Sequence, residues 1–457
     1  MTNKIAQEFQ IDEAVIFADR FDEEYDIKSY VSEISFFEDL DKSYLTGQLV
    51  FMDDISVVET IGIKGTEQIR FSISTTEKQT VDASFTITMN IVSIVRFSKV
   101  NERNSVYHFD LISPHAYRDA NLKISRSYTG SLDDISQRIL NNHLNVKVDR
   151  SYMGGTSPMQ SEVKVITPYI SPLECVDWLM DRATTDIGAP FWCWQTLYDQ
   201  REDEEFVRFG NLEYMMNVPA FNERVHLLYS ESRGQSVALG NISKQGVTIK
   251  NLEVENVEDT LKLIYEGAIG SRVVVQDTYT SQTINKHFGI TNLIDKLESK
   301  NVFSGGDQNI FDESQELTIE NKTRNTNEFD SIWFRGINSY GTYGSVNSYH
   351  DTPDPSDALN KLRSNSIRSL LNRNMINITI PGITFFAAKE KGVSGVGAGD
   401  IVWVDFLTSD VDDTSSGNLD EEKSGLYLIY RCRNIFRNTA HEVVASITKL
   451  AKNPTQL

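Results

Sequence analysis

Along residues 1–112 apolar and polar positions alternate with a period of two. SYLTGQLVFMD (43–53), EQIRFSIST (67–75) and SFTITMNIVSIVRFSKV (84–100) follow this pattern, rich in Val, Ile, Phe and Thr and separated by turns carrying Asp, Gly and Lys. A period of two puts successive side chains on opposite faces, so these stretches predict strands with one buried face. SVYHFDLIS (105–113) completes the set, with NERN (101–104) closing a hairpin onto the preceding strand.

The period then changes to that of a helix. Ser131 stands as an N-cap before Ile135, Ile139 and Leu140, with Asp134 at the third position. SPLECVDWLMDRA (171–183) carries a fuller start signal: Ser171 as cap, Pro172 at the first helical position and Glu174 as the capping-box partner. Leu173, Val176, Leu179 and Met180 form its apolar stripe, with Trp178 beside it. The helix leads into GAPFWCWQTL (188–197), where Phe191 and Cys193 face one side of a strand and Trp192 and Trp194 the other. Apolar residues on both faces predict a strand covered on both sides. Residues 113–222 read as a mixed α+β unit.

From about residue 241 the alternating pattern returns in GVTIKNLEVEN, TLKLIYEGAIG and SRVVVQDTYT. Residues 283–364 are polar and rich in Asn, Ser, Asp, Gly and Thr, which predicts an insertion or long loops. SDALNKLRSNSIRSLLNRN (356–374) predicts a helix, and the chain closes with strands in MINITIPGITF, GDIVWVDFLT, SGLYLIYRCRNIF and HEVVASITKLA.

VRFSKVNERNSVYHFDLIS (95–113) and CRNIFRNTAHEVVASITKL (432–450) superpose without a gap: Arg96 falls on Arg433, Asn101 on Asn438 and Val106 on Val443. Upstream, Gly65-Thr66-Glu67 before QIRFSI has a counterpart in Gly399-Asp400 before IVWVDF. Each half thus repeats a glycine turn, an alternating strand, a long strand, a polar turn and a final strand, the pattern of an internal duplication.

A chain of 457 residues exceeds one ordinary core, and about three domains is the expected count. The N-terminal MTNKIAQEFQIDEAV lacks the basic start and apolar run of a secretory signal. No apolar run reaches the roughly 18 residues that span a bilayer, so no membrane insertion by this chain is expected. Cys175, Cys193 and Cys432 are odd in number and far apart, which argues for reduced, packed thiols rather than a disulfide framework. The net charge of −21 repels nucleic acid and anionic lipid, and no basic cluster offsets it.

Sequence signals for chemistry are weak. His108, His115, His143, His226, His287, His350 and His441 form no metal-spaced pair, and HExxH, paired CxxC, GxSxG and P-loop lysine motifs are missing. GVSGVGAGD (392–400) runs into a strand rather than a helix N-terminus and reads as a flexible turn. DVDDTSSGNLDEE (410–422) places Ser415 where a calcium loop needs glycine and reads as an acidic hairpin loop. Cys193 has no neighbouring base or cation to form a thiolate. No catalytic, cofactor-binding or metal-ligating residue is assigned, and a non-enzymatic protein without cofactors is expected.

The combination of Thr46-Gly47-Gln48-Leu49-Val50-Phe51-Met52-Asp53, Gly65-Thr66-Glu67 with Ile69-Arg70-Phe71, the SPLECVDWL helix with Arg182-Ala183, GAPFWCWQTL, FGNLEYM (209–215) and the strands around Gly399-Asp400 resembles the baseplate central hub protein of contractile-tailed bacteriophages. That family is related to the hub part of type VI secretion spike proteins. The resemblance spans nearly the whole chain in order.

It implies a predominantly β, α+β fold with two tail-tube-like antiparallel β-barrels. Residues 1–112 would form the first and 223–282 with 365–457 the second, with 113–222 as an accessory domain and 283–364 as a polar insertion. Three copies would give a pseudo-sixfold ring joining the sixfold tail tube to a threefold spike. The implied partners are a homotrimer, a spike protein below, tail-tube or tube-initiator proteins above, and baseplate wedge and tape-measure proteins. DNA would pass through an acidic channel without specific binding, in a virion tail assembled in the host cytoplasm. The polar insertion departs from better-known members. With no trailing oligosaccharide-binding barrel or β-helix before residue 457, the spike is expected to be a separate polypeptide. The rival readings are a distal-tail or tube-terminator ring and a carbohydrate-binding tail protein that stacks sugar on Trp192 and Trp194.

Overall fold

The structure is a computed structural model. It describes most of residues 9–449; of the longer stretches, 76–83, 100–104, 199–203, 223–226, 231–247, 255–259, 278–282, 298–316, 325–331, 339–346, 349–354, 387–394 and 408–423 lie outside the described residues, with shorter gaps between. The turn at 101–104, the acidic loop at 410–422 and much of the polar insertion therefore fall outside it.

The alternating stretches assemble into one thirteen-stranded sheet. Its path runs from Asn251–Val254 through Ile376–Pro381, Ala440–Thr448, Gly425–Arg437, Val31–Asp39, Thr46–Asp53, Ser105–Ile112, Ser84–Lys99, Gln68–Thr75 and Phe9–Phe17 to Tyr25–Asp26. Every pair on this path is antiparallel. Ile401–Leu407 pairs off the path with Gly425–Arg437 and, in parallel, with Leu227–Ser230.

The predominantly β, α+β class expected from the pattern is what the structure has. The strands of the two expected antiparallel barrels are two halves of this single sheet, and among the described residues neither half closes by a continuous ladder. In the second half an isolated bridge between Leu228 and Thr248, with the Ile249 N–H donating to the Leu228 carbonyl at 2.9 Å, brings the free edges together.

Each half wraps its own apolar core. Phe36, Phe51, Phe71, Phe85 and Phe109 fill the first, with edge-to-face pairs Phe36–Phe71 and Phe36–Phe85 at 5.9 and 6.1 Å. Ile380, Val402, Val404, Ile429 and Val443 belong to the second. Phe436, from the second half, reaches into the first core and packs on Phe9, Phe36 and Phe85.

The duplication is visible in the strand registers. Superposing the two long hairpins by the gapless alignment carries the pair Ile91–Leu111 onto Leu428–Thr448 and Ile94–Phe109 onto Arg431–Ser446. Both long strands carry a β-bulge there, between Ile91 and Ser93 in the first and between Ile429 and Arg431 in the second. The glycine turns match as well: Gly65 and Gly399 have φ of 87° and 90°. The Ile91 N–H donates to the Glu67 carbonyl and the Ile429 N–H to the Asp400 carbonyl, both at 2.9 Å. In each turn an acid side chain accepts backbone N–H groups, Glu67 from Lys64, Gly65 and Thr66, and Asp400 from Gly397. Each acid also faces an arginine, Arg20 for Glu67 and Arg208, at 3.7 Å, for Asp400.

Between the halves lies the α+β region. The predicted capping box forms, with the Glu174 N–H donating to Ser171 Oγ at 3.4 Å and the Ser171 N–H to Glu174 Oε2 at 3.5 Å, and the helix runs Pro172–Met180. Leu173, Val176, Leu179 and Met180 are buried as expected. The helix at 131 spans Leu132–Ile139 and ends in a wider turn, Leu140–Leu144, stopped by left-handed Asn145. The helix expected at 356–374 runs Pro355–Leu371.

One strand pairs unlike its sequence grouping. Gly270–Asp277, grouped above with the second β unit, forms a separate three-stranded sheet with Thr283–Gly289 and Ile332–Asn338, so described parts of the polar insertion are themselves strands. No helix among the described residues is long and apolar enough to cross a membrane.

Candidate functional site: a buried polar junction behind the aromatic strand

The strand Phe191–Trp194 pairs with Phe206–Asn211, Cys193 lying opposite Phe209. Its two faces serve two different cores. Phe191 and Cys193 pack with Cys175, Val176 and Phe209 inside the α+β region. Trp192 and Trp194 point the other way, into a core shared with Leu40, Ala398, Ile401 and Tyr430. The alternation predicted from sequence is therefore correct, and the second face packs across to the C-terminal strands as well as within the accessory unit.

Both indoles are held by hydrogen bonds. Trp194 Nε1–H donates to the Ala398 carbonyl at 2.7 Å, and Trp192 Nε1–H donates to Asp41 Oδ1 at 3.0 Å. Arg368 lies over the Trp192 ring, 4.7 Å from its centroid, and donates to Asp41 and to the Phe191 carbonyl at 3.1 and 2.7 Å. Tyr430 donates its hydroxyl to Asp41 Oδ2 at 2.7 Å. Trp192 and Trp194 are 2% and 0% exposed, so neither offers a face on which a sugar from solvent could stack.

Of the glycine-rich segment read as a flexible turn, residues 395–400 are described, and they are packed. Val396 and Ala398 are buried, and Gly399 lies so close to Trp194 that a Cβ there would stand 2.6 Å from the ring. A Cβ on Gly397 would stand 2.2 Å from Glu38 Oε2. The glycines admit a close approach of backbone to an indole and to a carboxylate, which is the reason for the run.

Glu38 is the centre of this junction. It is buried, accepting from the Leu197 N–H at 3.1 Å, the Ala398 N–H at 2.9 Å and Asn434 Nδ2 at 3.4 Å. Burial pushes its carboxyl up to about 7, although the N–H groups of Ala398 and Leu197 pull the other way. Asn434 Oδ1 in turn accepts from the Tyr198 hydroxyl at 2.9 Å and lies 3.2 Å from His441 Nε2. Burial drives His441 down to about 3, so the ring is neutral and Nε2–H is the donor to Asn434. Tyr152 donates to Asp400 Oδ1 at 2.7 Å and lies beneath the buried Arg208, 4.6 Å away. The network thus ties together the strand Val31–Asp39, the α+β region, the glycine loop and both strands of the second hairpin near its turn.

The thiols are not nucleophiles. Burial raises Cys175 to about 12 and pushes Cys193 and Cys432 well above the usual thiol range, so all three stay protonated. His115 is buried against Glu205, 3.1 Å from its carboxylate, and holds the chain at 115 to that at 205. Among the described residues no group of three metal-ligating side chains comes together. The arrangement is a rivet between units, built of acids, aromatics and backbone N–H groups, with Glu38 and both indoles buried and Asp41 at its exposed rim. Sequence reading missed Glu38, Asp41 and Arg208, whose partners are far away along the chain.

No protein-family model matches the chain, and no curated protein matches it by sequence. Solved structures do. A tail protein from Neisseria meningitidis MC58 aligns with a TM-score of 0.50 at 10% identity, covering 97% of each chain. The 43 kDa tail protein of prophage MuSo2 from Shewanella oneidensis aligns at 0.49 and 10%, covering 96% of this chain and 98% of that one. An Escherichia coli component of the type VI secretion system, itself described as similar to T4 bacteriophage tail proteins, aligns at 0.43 and 9%, covering 98% and 79%. The chain shares the overall fold of the Neisseria tail protein from end to end.

Proposed function

We propose that this chain is a structural hub of a phage-type contractile tail, three copies of which form a ring of six similar β units. The observation that carries this reading is the repeat itself. One sheet contains the same hairpin, bulge and glycine-acid turn twice, so three chains present six quasi-equivalent units. Such a ring adapts a sixfold tube on one side to a threefold spike on the other. The fold shared with a tail protein supports the setting. The buried, protonated thiols and the enclosed tryptophans count against the nucleophile and sugar-binding readings.

In this reading residues 1–112 and the pair 223–282 with 365–457 are the two ring units, 113–222 braces them from outside, and the 283–364 region elaborates the surface. The net charge of −21 gives a channel wall that repels DNA phosphate and lets the genome slide. Spike, tube, wedge and tape-measure proteins are the partners this geometry calls for. Light scattering on the purified chain tests the proposal. A mass near three times 51.8 kDa, alone or with the spike, supports it. A hexamer moves the chain to a tube-terminator role, and a monomer in both conditions ends the ring reading.

A further inference from the structure

The two hairpins differ in what covers their outer edge. In the second, Arg431–Arg437 pairs with the strand Val31–Asp39, from Arg431–Asp39 to Arg437–Glu33. The covering strand is acidic and the covered one basic: Arg431 lies 3.2 Å from Asp39, and Arg433 and Arg437 each lie 3.7 Å from Glu33. In the first hairpin the strand Ser84–Lys99 pairs with Gln68–Thr75 only as far as Asn90. Among the described residues no strand pairs with that side beyond it. Every residue from Val92 to Lys99 is exposed, and Val95 and Phe97 are 60% and 54% exposed, on an arm that also carries Ile94. A long, apolar, unpaired edge is a template for another strand.

The repeat identifies that strand. Outward from the second hairpin come Ile376–Pro381 and then Asn251–Val254; outward from the first come Thr46–Asp53 and then Val31–Asp39, all antiparallel. Asn251–Val254 is therefore the counterpart of Val31–Asp39. Its outer side is also unpaired among the described residues, and Glu253 and Val254 are exposed. Six strands separate it from Ser84–Lys99 within the sheet, so the two edges belong to different copies.

We propose that the end of this arm, at Ser98 and Lys99 of one copy, pairs antiparallel with the end of Asn251–Val254 of a second copy, repeating between copies the junction that joins the halves within one. Charge fits as well: the arm carries Arg96 and Lys99 and no acid, the receiving strand carries Glu253, and the chain as a whole is at −21. Carrying the internal junction across by the repeat sets Lys99 of one copy beside Glu253 or Val254 of the next. The contact is head-to-tail, and it closes into a ring where the rotation permits. It rests on the hub reading for its closure at three.

The test is disulfide trapping in the full chain. Lys99→Cys is combined with Glu253→Cys or, one register step away, with Val254→Cys, and read on non-reducing gels beside light scattering. Cys175, Cys193 and Cys432 are buried and silent. The expected result is linked dimers and a linked trimer from one double variant and from neither single variant. A trimeric mass with no linkage from either pair overturns this interface and leaves the hub reading standing. Linked open chains with no trimer support the edge pairing and sink the threefold ring. A monomeric mass without linkage overturns both.

Discussion

The hairpin Ser84–Lys99/Ser105–Ile112 and the hairpin Gly425–Arg437/Ala440–Thr448 share a register through one bulge, yet the first projects a bare arm, Val92–Lys99, where the second is covered. Backbone pairing matches through the shared bulge; beyond it the first hairpin has a second bulge, between Ile94 and Arg96, that the second lacks. The larger difference lies in what lands on the outer edge. On the second hairpin, Val31–Asp39 brings Phe36 against Phe436 and sets Glu38 beside the glycine loop. On the first, no described strand pairs with that side beyond Asn90. A duplicated element thus has one copy specialised for cohesion inside the chain, while the other keeps the edge by which copies can join.

Side-chain truncation breaks this comparison most sharply. Phe436 is buried in the first core and stacks on His441 at 4.1 Å. Phe436→Ala is expected to cost about 3–5 kcal/mol, the range for a buried aromatic in a core that relaxes only partly. Phe97 is half exposed and touches Tyr107, with ring centroids 5.0 Å apart. Phe97→Ala is expected to cost under about 1 kcal/mol in the isolated chain. Denaturant midpoints of the two variants measure the gap, and equal shifts would contradict the contrast between the covered and the bare hairpin.

The glycine turns give a finer version. Gly65 and Gly399 share a positive φ, so alanine is strained at both by about 1–3 kcal/mol. Around Gly65 the nearest atoms to an added Cβ are carbonyl oxygens of Val92 and Ile91, at 3.9 and 4.0 Å. At Gly399 the Cβ meets Trp194. Gly399→Ala is therefore expected to destabilise by about 1–3 kcal/mol more than Gly65→Ala, the usual penalty for overpacking. Trp194 is fully buried, so a shift in tryptophan emission is expected for Gly399→Ala alone.

Much of this was legible in the residues. Alternation located four strands of the first unit though not Phe9–Phe17 or Val31–Asp39, Ser171-Pro172 with Glu174 located a helix start, and the gapless match of 95–113 with 432–450 found the repeat. The junction was not legible, because its contacts are remote. Glu38 stands next to last in the strand Val31–Asp39, in SFFED, where an acid looks like an ordinary surface residue. Its donors lie 159 and 360 residues away, at Leu197 and Ala398. The glycine run looked slack for the same reason: the indole it accommodates, Trp194, is about two hundred residues earlier in the chain. Gly270–Asp277 alternates as the other strands do, and period alone does not say which sheet a strand joins.

The smallest expected effect is a pH dependence that only the covered hairpin has. Glu38 lies opposite Cys432 in the junction register, and the bare first hairpin has no counterpart to it among the described residues. Its carboxyl sits at about 7 in the folded chain against an ordinary 4.5, so the folded state holds the extra proton between those values. Stability then falls as pH rises through that window, because the unfolded chain releases the proton first. Asp177, pushed to about 7 by burial and then by Asp181 and Asp119, acts in the same direction. Wild-type stability is expected to drop by a few kcal/mol at most between pH 5 and 7.5. His441 acts the other way, because burial lowers it from 6.5 to about 3 and the unfolded chain alone takes up its proton towards pH 5. Glu38→Gln is therefore expected to leave the slope nearly flat, and Asp177→Asn added to it to reverse the sign. The Glu38→Gln side chain also turns its amide N–H₂ toward a backbone donor, so the variant starts weaker at pH 5 by about 1–3 kcal/mol, the cost of an unmet buried polar group. Urea midpoints across pH 5–7.5 separate the two consequences. A slope unchanged by Glu38→Gln would mean that the protonation of Glu38 plays no part in holding the second hairpin.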